Sequence, residues 1–359
     1  MTDSQGLVEK LIGKYKNKDY AKRYGLFPIQ DEVGYKLYKT QEIALWSSNE
    51  LEFTKDLKDY QALSEKSDNL QIMKQNKALK KMLDLVLCFF AATDGVVVDN
   101  IALRFLLECS TLEEQGFYLA QMFIEFVHAE TYSLIINTLI VDPTERNKMF
   151  ESVNNLPCVR NKAEWLDENI GSDKSLSHRL LVLACGEGIF FTSSFLFIFY
   201  FRSKGIFQNI IFANEQISKD ENMHRDNGIL RHKRAGLLPV DEAHTLVNTA
   251  VELEFGFVDE VLPESIEDLG IEDSKNYVRV LADHLLLSAG YPKLYNTSLS
   301  TLPSWMNDIA MEQKANFYEV RVGNYVQSSL KNALDWKGRI AGHENEKEAA
   351  YADPRSIYI

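Results

Sequence analysis

Cysteine is scarce in this sequence. Its four copies, Cys88, Cys109, Cys158 and Cys185, are scattered and form no Cys-x-x-Cys pair, which excludes a zinc knuckle and a disulfide framework. Free cysteine behaves as a small buried hydrophobe, so the four are expected to be reduced core thiols of a cytoplasmic protein. Proline is scarce as well: eight residues, none in 29–142 or 158–238, leaving two long intervals in which helices run unkinked. Alternation bounded by hairpin turns is not evident, and the Asp-Gly step at Asp94-Gly95 lies between two apolar helical patterns, so strands are not expected. Basic charge is in deficit, 39 Lys and Arg against 52 Asp and Glu for a net charge of −13, which argues against bulk affinity for nucleic acid or an anionic membrane. No signal peptide is apparent. The most apolar run, Gly188 to Phe201, reads as a buried core helix, too short and too flanked by charge to span a bilayer, which needs about 20 apolar residues.

What is present is a series of amphipathic helical patterns in a sequence long enough to bury a large core. Residues 1–30 form a basic, aromatic arm and 31–312 a helical domain. The segment 313–359, polar and ending HENEKEAAYADPRSIYI, is expected to be a flexible tail. A first core helix is predicted over Asp68–Thr93, with Asp94 near its end, and a separate one over Val97–Cys109. Further helices are predicted over Gln121–Thr138, Lys174–Phe201, Phe207–Arg234, Asp241–Leu262 and Ser274–Ala289.

The stretch QMFIEFVHAETYSLIINT places Glu125, His128 and Tyr132 in one column of a helix, each about one turn from the next. A second Glu-x-x-His occurs at Glu221 and His224. Two such motifs on facing helices, with one acid from each of two others, are how a helical bundle holds a carboxylate-bridged metal pair. Adding Asp94 and Glu187 gives six ligands in two sets. Glu125 and Glu187 lie in runs too apolar to leave an ionised carboxylate uncompensated, and a metal resolves that cost. Carboxylate and imidazole donors suit iron or manganese better than zinc. The other histidines, His178, His232, His244, His284 and His343, lack such company and are expected to be surface or hydrogen-bonded residues. Bound metal alone leaves iron storage, a di-metal oxidase acting on a lipid-like molecule, and a non-catalytic partner subunit as competing readings.

At these residues the sequence resembles the small, radical-generating subunit of class I ribonucleotide reductase. FFAATDGVVVDN, EFVHAETYSLIINT, GEGIFF and SKDENMH match its four ligand-bearing segments in order, and NFYEVRVGNY resembles the eukaryotic-type form near its C-terminal end. The resemblance runs from about Asp31 to Tyr325. It implies an all-α, ferritin-like helical bundle with additional helices and a mobile C-terminal tail, usually homodimeric, whose metal pair uses dioxygen to oxidise a nearby tyrosine. The radical then passes to a separate large subunit that reduces ribonucleotides to deoxyribonucleotides. By position Tyr132 matches the radical tyrosine, and Phe191, Phe195 and Ile217 match the apolar pocket around it. Trp46 matches the buried tryptophan of the transfer path, and Asp220 the carboxylate linking it to the metal-bound histidine, here His128. Glu50 matches an acid near the subunit interface, and Tyr325 the C-terminal relay tyrosine. Two Fe ions per chain are implied, with di-manganese or mixed loading left open.

Two departures from the family pattern stand out. The sequence ends SIYI rather than in an acidic peptide with a terminal Phe, so docking on the large subunit falls to Ile357, Tyr358 and Ile359, and Tyr351 and Tyr358 become rivals to Tyr325. The connector between His128 and Glu187 is short.

Overall fold

The computed structural model describes residues 25–151, 156–171, 173–314 and 334, with all side chains among them except those of 92–100, 102, 103 and 312–314. Among the described residues the chain is helical, apart from a single bridge between Ile266 and Leu269. Helix α1 (Glu32–Ile43) begins at Asp31, whose carboxylate accepts the Gly34 amide at 2.9 Å, satisfying one of the unpaired N–H groups of the first turn. Helix α2 (Thr54–Ala62) and the long helix α3 (Leu70–Asn100) follow. Helix α4 (Leu112–Leu139) is capped by Thr111 on the Glu114 amide at 3.2 Å. The short α5 (Pro143–Phe150) and α6 (Pro157–Ile170) each start on a proline, whose missing N–H costs nothing there.

Helices α7 (Leu176–Cys185) and α8 (Thr192–Lys204) are joined end to end through a π turn, Gly186–Phe190. Helices α9 (Gln208–Ala235), α10 (Val240–Val261), α11 (Ile271–Ala289) and α12 (Ser304–Lys314) complete the bundle. Helix α4 packs on α1 and α3, and α9 on α7, α8 and α4. The four longest elements thus surround one interior, with α10 and α11 packed on the π turn and α6 reaching it through Lys162 and Trp165.

Two expectations need correcting. Helix α3 runs without a break through Asp94-Gly95 and continues into a π turn at Ile101–Phe105, where two helices were predicted. Glycine within a helix costs only about 1 kcal/mol against alanine, and packing of α3 on α4, α6 and α8 exceeds that. The apolar run belongs to a continuous 29-residue element, Leu176–Lys204, long and apolar enough to cross a bilayer. Its length therefore excludes nothing; its environment is set by burial, since 94% of its most apolar window lies inside the protein.

None of the four cysteines is in a disulfide; three are buried and Cys158 is half-buried. His232 is buried and held between the Ser177 carbonyl and the Tyr291 hydroxyl, each at 2.8 Å. His178 pairs with Glu242 and His244 with the Pro292 carbonyl. His343 lies outside the described residues.

Candidate metal centre

Helix α4 turns one buried column toward the interior: Gln121, Glu125, His128 and Tyr132, all essentially inaccessible to solvent. Helix α9 answers with Asn214, Asp220, Glu221 and His224, also buried. Glu187 enters from the π turn, where Gly188 permits the close approach of α9. A Cβ on Gly188 would stand 2.7 Å from the Cδ of Arg225. Gln121 donates from Nε2 to Glu187 Oε1 at 2.9 Å, tying the π turn to α4.

The ligand atoms of Glu125, Glu187, Glu221 and His224 all lie within 4.8 Å of one another. His128 Nδ1 is 3.3 Å from Glu125 Oε2 and 3.2 Å from Glu221 Oε1. His224 Nδ1 is 2.9 Å from Glu125 Oε1 and 3.2 Å from Glu221 Oε2. Glu125 and Glu221 therefore each face both imidazoles, as carboxylates shared by two cations would. Five of the six predicted ligands come together in this way. Asp94 lies on α3, its side chain outside the described set.

Burial opposes charge on Glu125, His128 and His224, yet mutual attraction prevails. Burial would raise the Glu125 pKa, but the His224 and His128 imidazoles hold it down to about 2. Burial would lower the histidines, but Glu125 and Glu221 lift His224 to about 9, and Asp220, Glu125 and Glu221 lift His128 well above its ordinary value. Four buried carboxylates, Glu125, Glu187, Glu221 and Asp220, thus surround two imidazoles in an enclosed space where unpaired negative charge is costly. Divalent cations would remove it. The residues fit such ions: hard oxygen donors with two imidazoles, both presenting Nδ1 to the carboxylates, while His128 uses Nε2 to engage Asp220 at 3.1 Å. A second nitrogen anchored on a carboxylate is the usual arrangement of a metal-binding histidine.

Asp220 also accepts the Trp46 indole N–H on the same oxygen at 2.8 Å, while its other oxygen accepts Gln41 Nε2 at 3.1 Å. The Trp46 ring stacks on His128 with centroids 5.9 Å apart and planes inclined by 23°. One turn beyond His128 on α4, Tyr132 donates its hydroxyl to Asn214 Oδ1 at 2.8 Å. Asn214 is oriented by its own amide, which donates to the Ile210 carbonyl at 2.8 Å. Phe90 lies flat on the phenol ring at 4.4 Å and 5°. Phe191 and Phe195 pack against Phe90 at 5.8 and 5.3 Å, and Ile217 is buried on α9. Glu50 is exposed at the end of a 3-10 turn, Ser48–Glu50. Tyr325, Tyr351, Ile357, Tyr358 and Ile359 lie outside the described residues.

Sequence reasoning missed Gln41, Phe90, Gln121 and Asn214. Two of them carried a usable signal. Gln121 is one turn before Glu125 and Asn214 two turns before Glu221, so each is a polar residue on an otherwise buried helix face, which demands a partner.

Comparison with known proteins identifies the family. The family model described as ribonucleotide reductase, small chain, matches residues 23–303. The ribonucleoside-diphosphate reductase small chain of Variola virus is 34% identical over 330 residues, covering 91% of this sequence and 97% of the viral one. A plant relative, a ribonucleoside-diphosphate reductase small chain of Arabidopsis thaliana, is 33% identical over 313 residues, covering 87% and 88%. Among solved structures, the ribonucleotide reductase Rnr4 homodimer from Saccharomyces cerevisiae superposes with a TM-score of 0.67 at 25% identity, covering 82% of this protein and 92% of that one. The dimanganese(II)-NrdF of Streptococcus sanguinis shares the fold at the same TM-score and 22% identity, covering 81% and 100%. From the paired Glu-x-x-His helices to the match along most of its length, the chain belongs to the ribonucleotide reductase small-chain family.

Proposed function

We propose that Glu125, His128, Glu187, Glu221 and His224, together with Asp94, hold a pair of metal ions, that Tyr132 stores the radical, and that Trp46 and Asp220 carry it toward the large subunit. The observation that carries this reading is the line Trp46–Asp220–His128, because iron storage has no use for an indole tied through a carboxylate to a metal-facing imidazole. When bound, the metal pair supplies the oxidising power, drawn from dioxygen, that takes an electron and a proton from the Tyr132 phenol. Iron is the proposed metal, since a carboxylate-rich donor set tolerates its ferric state.

The protein's own residues do the rest. Phe90 covers one face of the phenol and excludes water and small reductants from it. Asn214 fixes the direction of the hydroxyl, and a neutral amide, being a poor base, leaves the phenol its proton at rest. Asp220 is different. Its Oδ2 lies between the indole N–H and His128 Nε2, so it holds the proton of Trp46 at a defined place whenever the indole is oxidised and reduced.

The large subunit is the partner of the family's small chains, and Tyr325 is the proposed relay to it. A second copy of this chain is the proposed partner for the outer face of α4. There Leu119, Phe123 and Phe126, spaced at helical intervals, are 56, 57 and 70% exposed, an apolar stripe that water does not favour. A cytoplasmic setting keeps the four thiols reduced.

Replacing Trp46 by Phe tests the reading. Iron binding and the tyrosyl signal are expected to persist while turnover with the large subunit falls to background. Full turnover in the variant would remove Trp46 from the path.

A further inference from the structure

Behind the π turn lies a second charged pair that the metal site does not use. Lys162 on α6 and Glu254 on α10 are 1% and 0% exposed and meet at 2.5 Å. The ammonium sits over the rings of Phe257 and Phe89 at 4.0 and 4.1 Å and donates to the Phe190 carbonyl at 3.1 Å. Phe190 is the last residue of the π turn. The other oxygen of Glu254 accepts the Ser193 amide at 3.0 Å and also meets the Ser193 hydroxyl. Ser193 is the second residue of α8, whose N-cap, Phe191, offers no side-chain acceptor. The pair thus satisfies the backbone where the π turn hands over to α8.

Stability alone does not account for it. A buried ion pair loses about as much in desolvation as it gains in attraction, and apolar replacements are often neutral or better. Position does account for it. A π turn is an extra residue held within a helix, and sliding it by one residue would rotate the side chains of the turn by roughly 100° about the axis. Glu187 is on that turn, and a slide would take it out of the cluster.

We propose that Lys162 and Glu254 are positioning residues that lock the register of the π turn and thereby fix where Glu187 is presented to the metals. This rests on Glu187 being a metal ligand, as proposed for the centre. The test uses the full-length protein and Mn(II) as the probe, comparing wild type with Lys162→Met/Glu254→Leu and with Glu254→Gln. Three quantities are measured: melting of the metal-free protein, stoichiometry and affinity by equilibrium titration, and the electron paramagnetic resonance spectrum of the Mn(II)-loaded protein.

The expected result for the double variant is a metal-free melting temperature equal to or above that of wild type. One of its two Mn(II) equivalents should bind about 10–100-fold more weakly, the range typical of lost ligand support, with an altered spectrum. Wild-type affinity for both equivalents would overturn the proposal. Should the double variant not fold, Glu254→Gln decides, since it keeps the shape of the side chain and an acceptor for Ser193. Weakened binding of one equivalent there supports the lock, and unchanged binding overturns it. Wild type taking up fewer than two equivalents would overturn both the lock and the ligand assignment beneath it.

Discussion

Tyr132 and Trp46 sit in opposite surroundings around one helix: Tyr132 lies one turn beyond His128 on α4, and Trp46 stacks on the His128 ring. Tyr132 is fully buried, with Phe90 flat against its ring and its hydroxyl donating to a neutral amide. Trp46 is half-buried, stacked on an imidazole and bonded to a carboxylate that also holds that imidazole. A radical kept for long needs the first environment, buried under an aromatic ring and bonded to a neutral amide. One that only passes through needs the second, where a proton has a place to wait. The two surroundings share their ligands, so each can be disturbed separately or both together.

The largest disturbance removes the shared part. Glu221 faces both imidazoles, and Glu221→Ala is expected to drop bound metal from two equivalents per protomer to less than one by elemental analysis, with loss of the radical as well. Stoichiometric metal in that variant would contradict the ligand set. Opening only the dry side comes next. Phe90→Ala leaves a cavity against the phenol and is expected to cost about 3–5 kcal/mol in denaturant unfolding, with metal retained and the radical decaying faster. A radical as long-lived as in wild type would show that Phe90 merely packs. The smallest effect is expected from Asn214→Leu, which takes an acceptor from the buried Tyr132 hydroxyl at a cost of about 1–3 kcal/mol. Metal content and radical yield should stay at wild-type levels, while the g-anisotropy of the signal reports the lost amide. Loss of the radical altogether would give Asn214 a role in forming it.

These contrasts were unequally legible in the sequence. The two Glu-x-x-His motifs lie on regular helices, where a spacing of three fixes a shared face, and the structure brings both pairs together. The place of Tyr132 in that column followed from the same periodicity, whereas its role came from the family resemblance. The π turn carrying Glu187 was not legible, because an added residue within a helix requires no particular side chain and is decided by what packs behind it, here Lys162 and Glu254. The continuity of α3 was hidden for a related reason: Asp94-Gly95 is a local turn signal that tertiary packing overrides. Phe90 was read as one core phenylalanine among several, since a sequence pattern assigns a ring to the interior without saying which ring it touches.

The central claim is that Tyr132 stores the radical, and electron paramagnetic resonance tests it most directly. Metal-free wild type and Tyr132→Phe are loaded with Fe(II), exposed to oxygen and measured side by side. Wild type is expected to show a tyrosyl signal, and the variant to bind the same iron without one. A signal surviving in Tyr132→Phe, or iron-loaded wild type with none, would contradict the assignment.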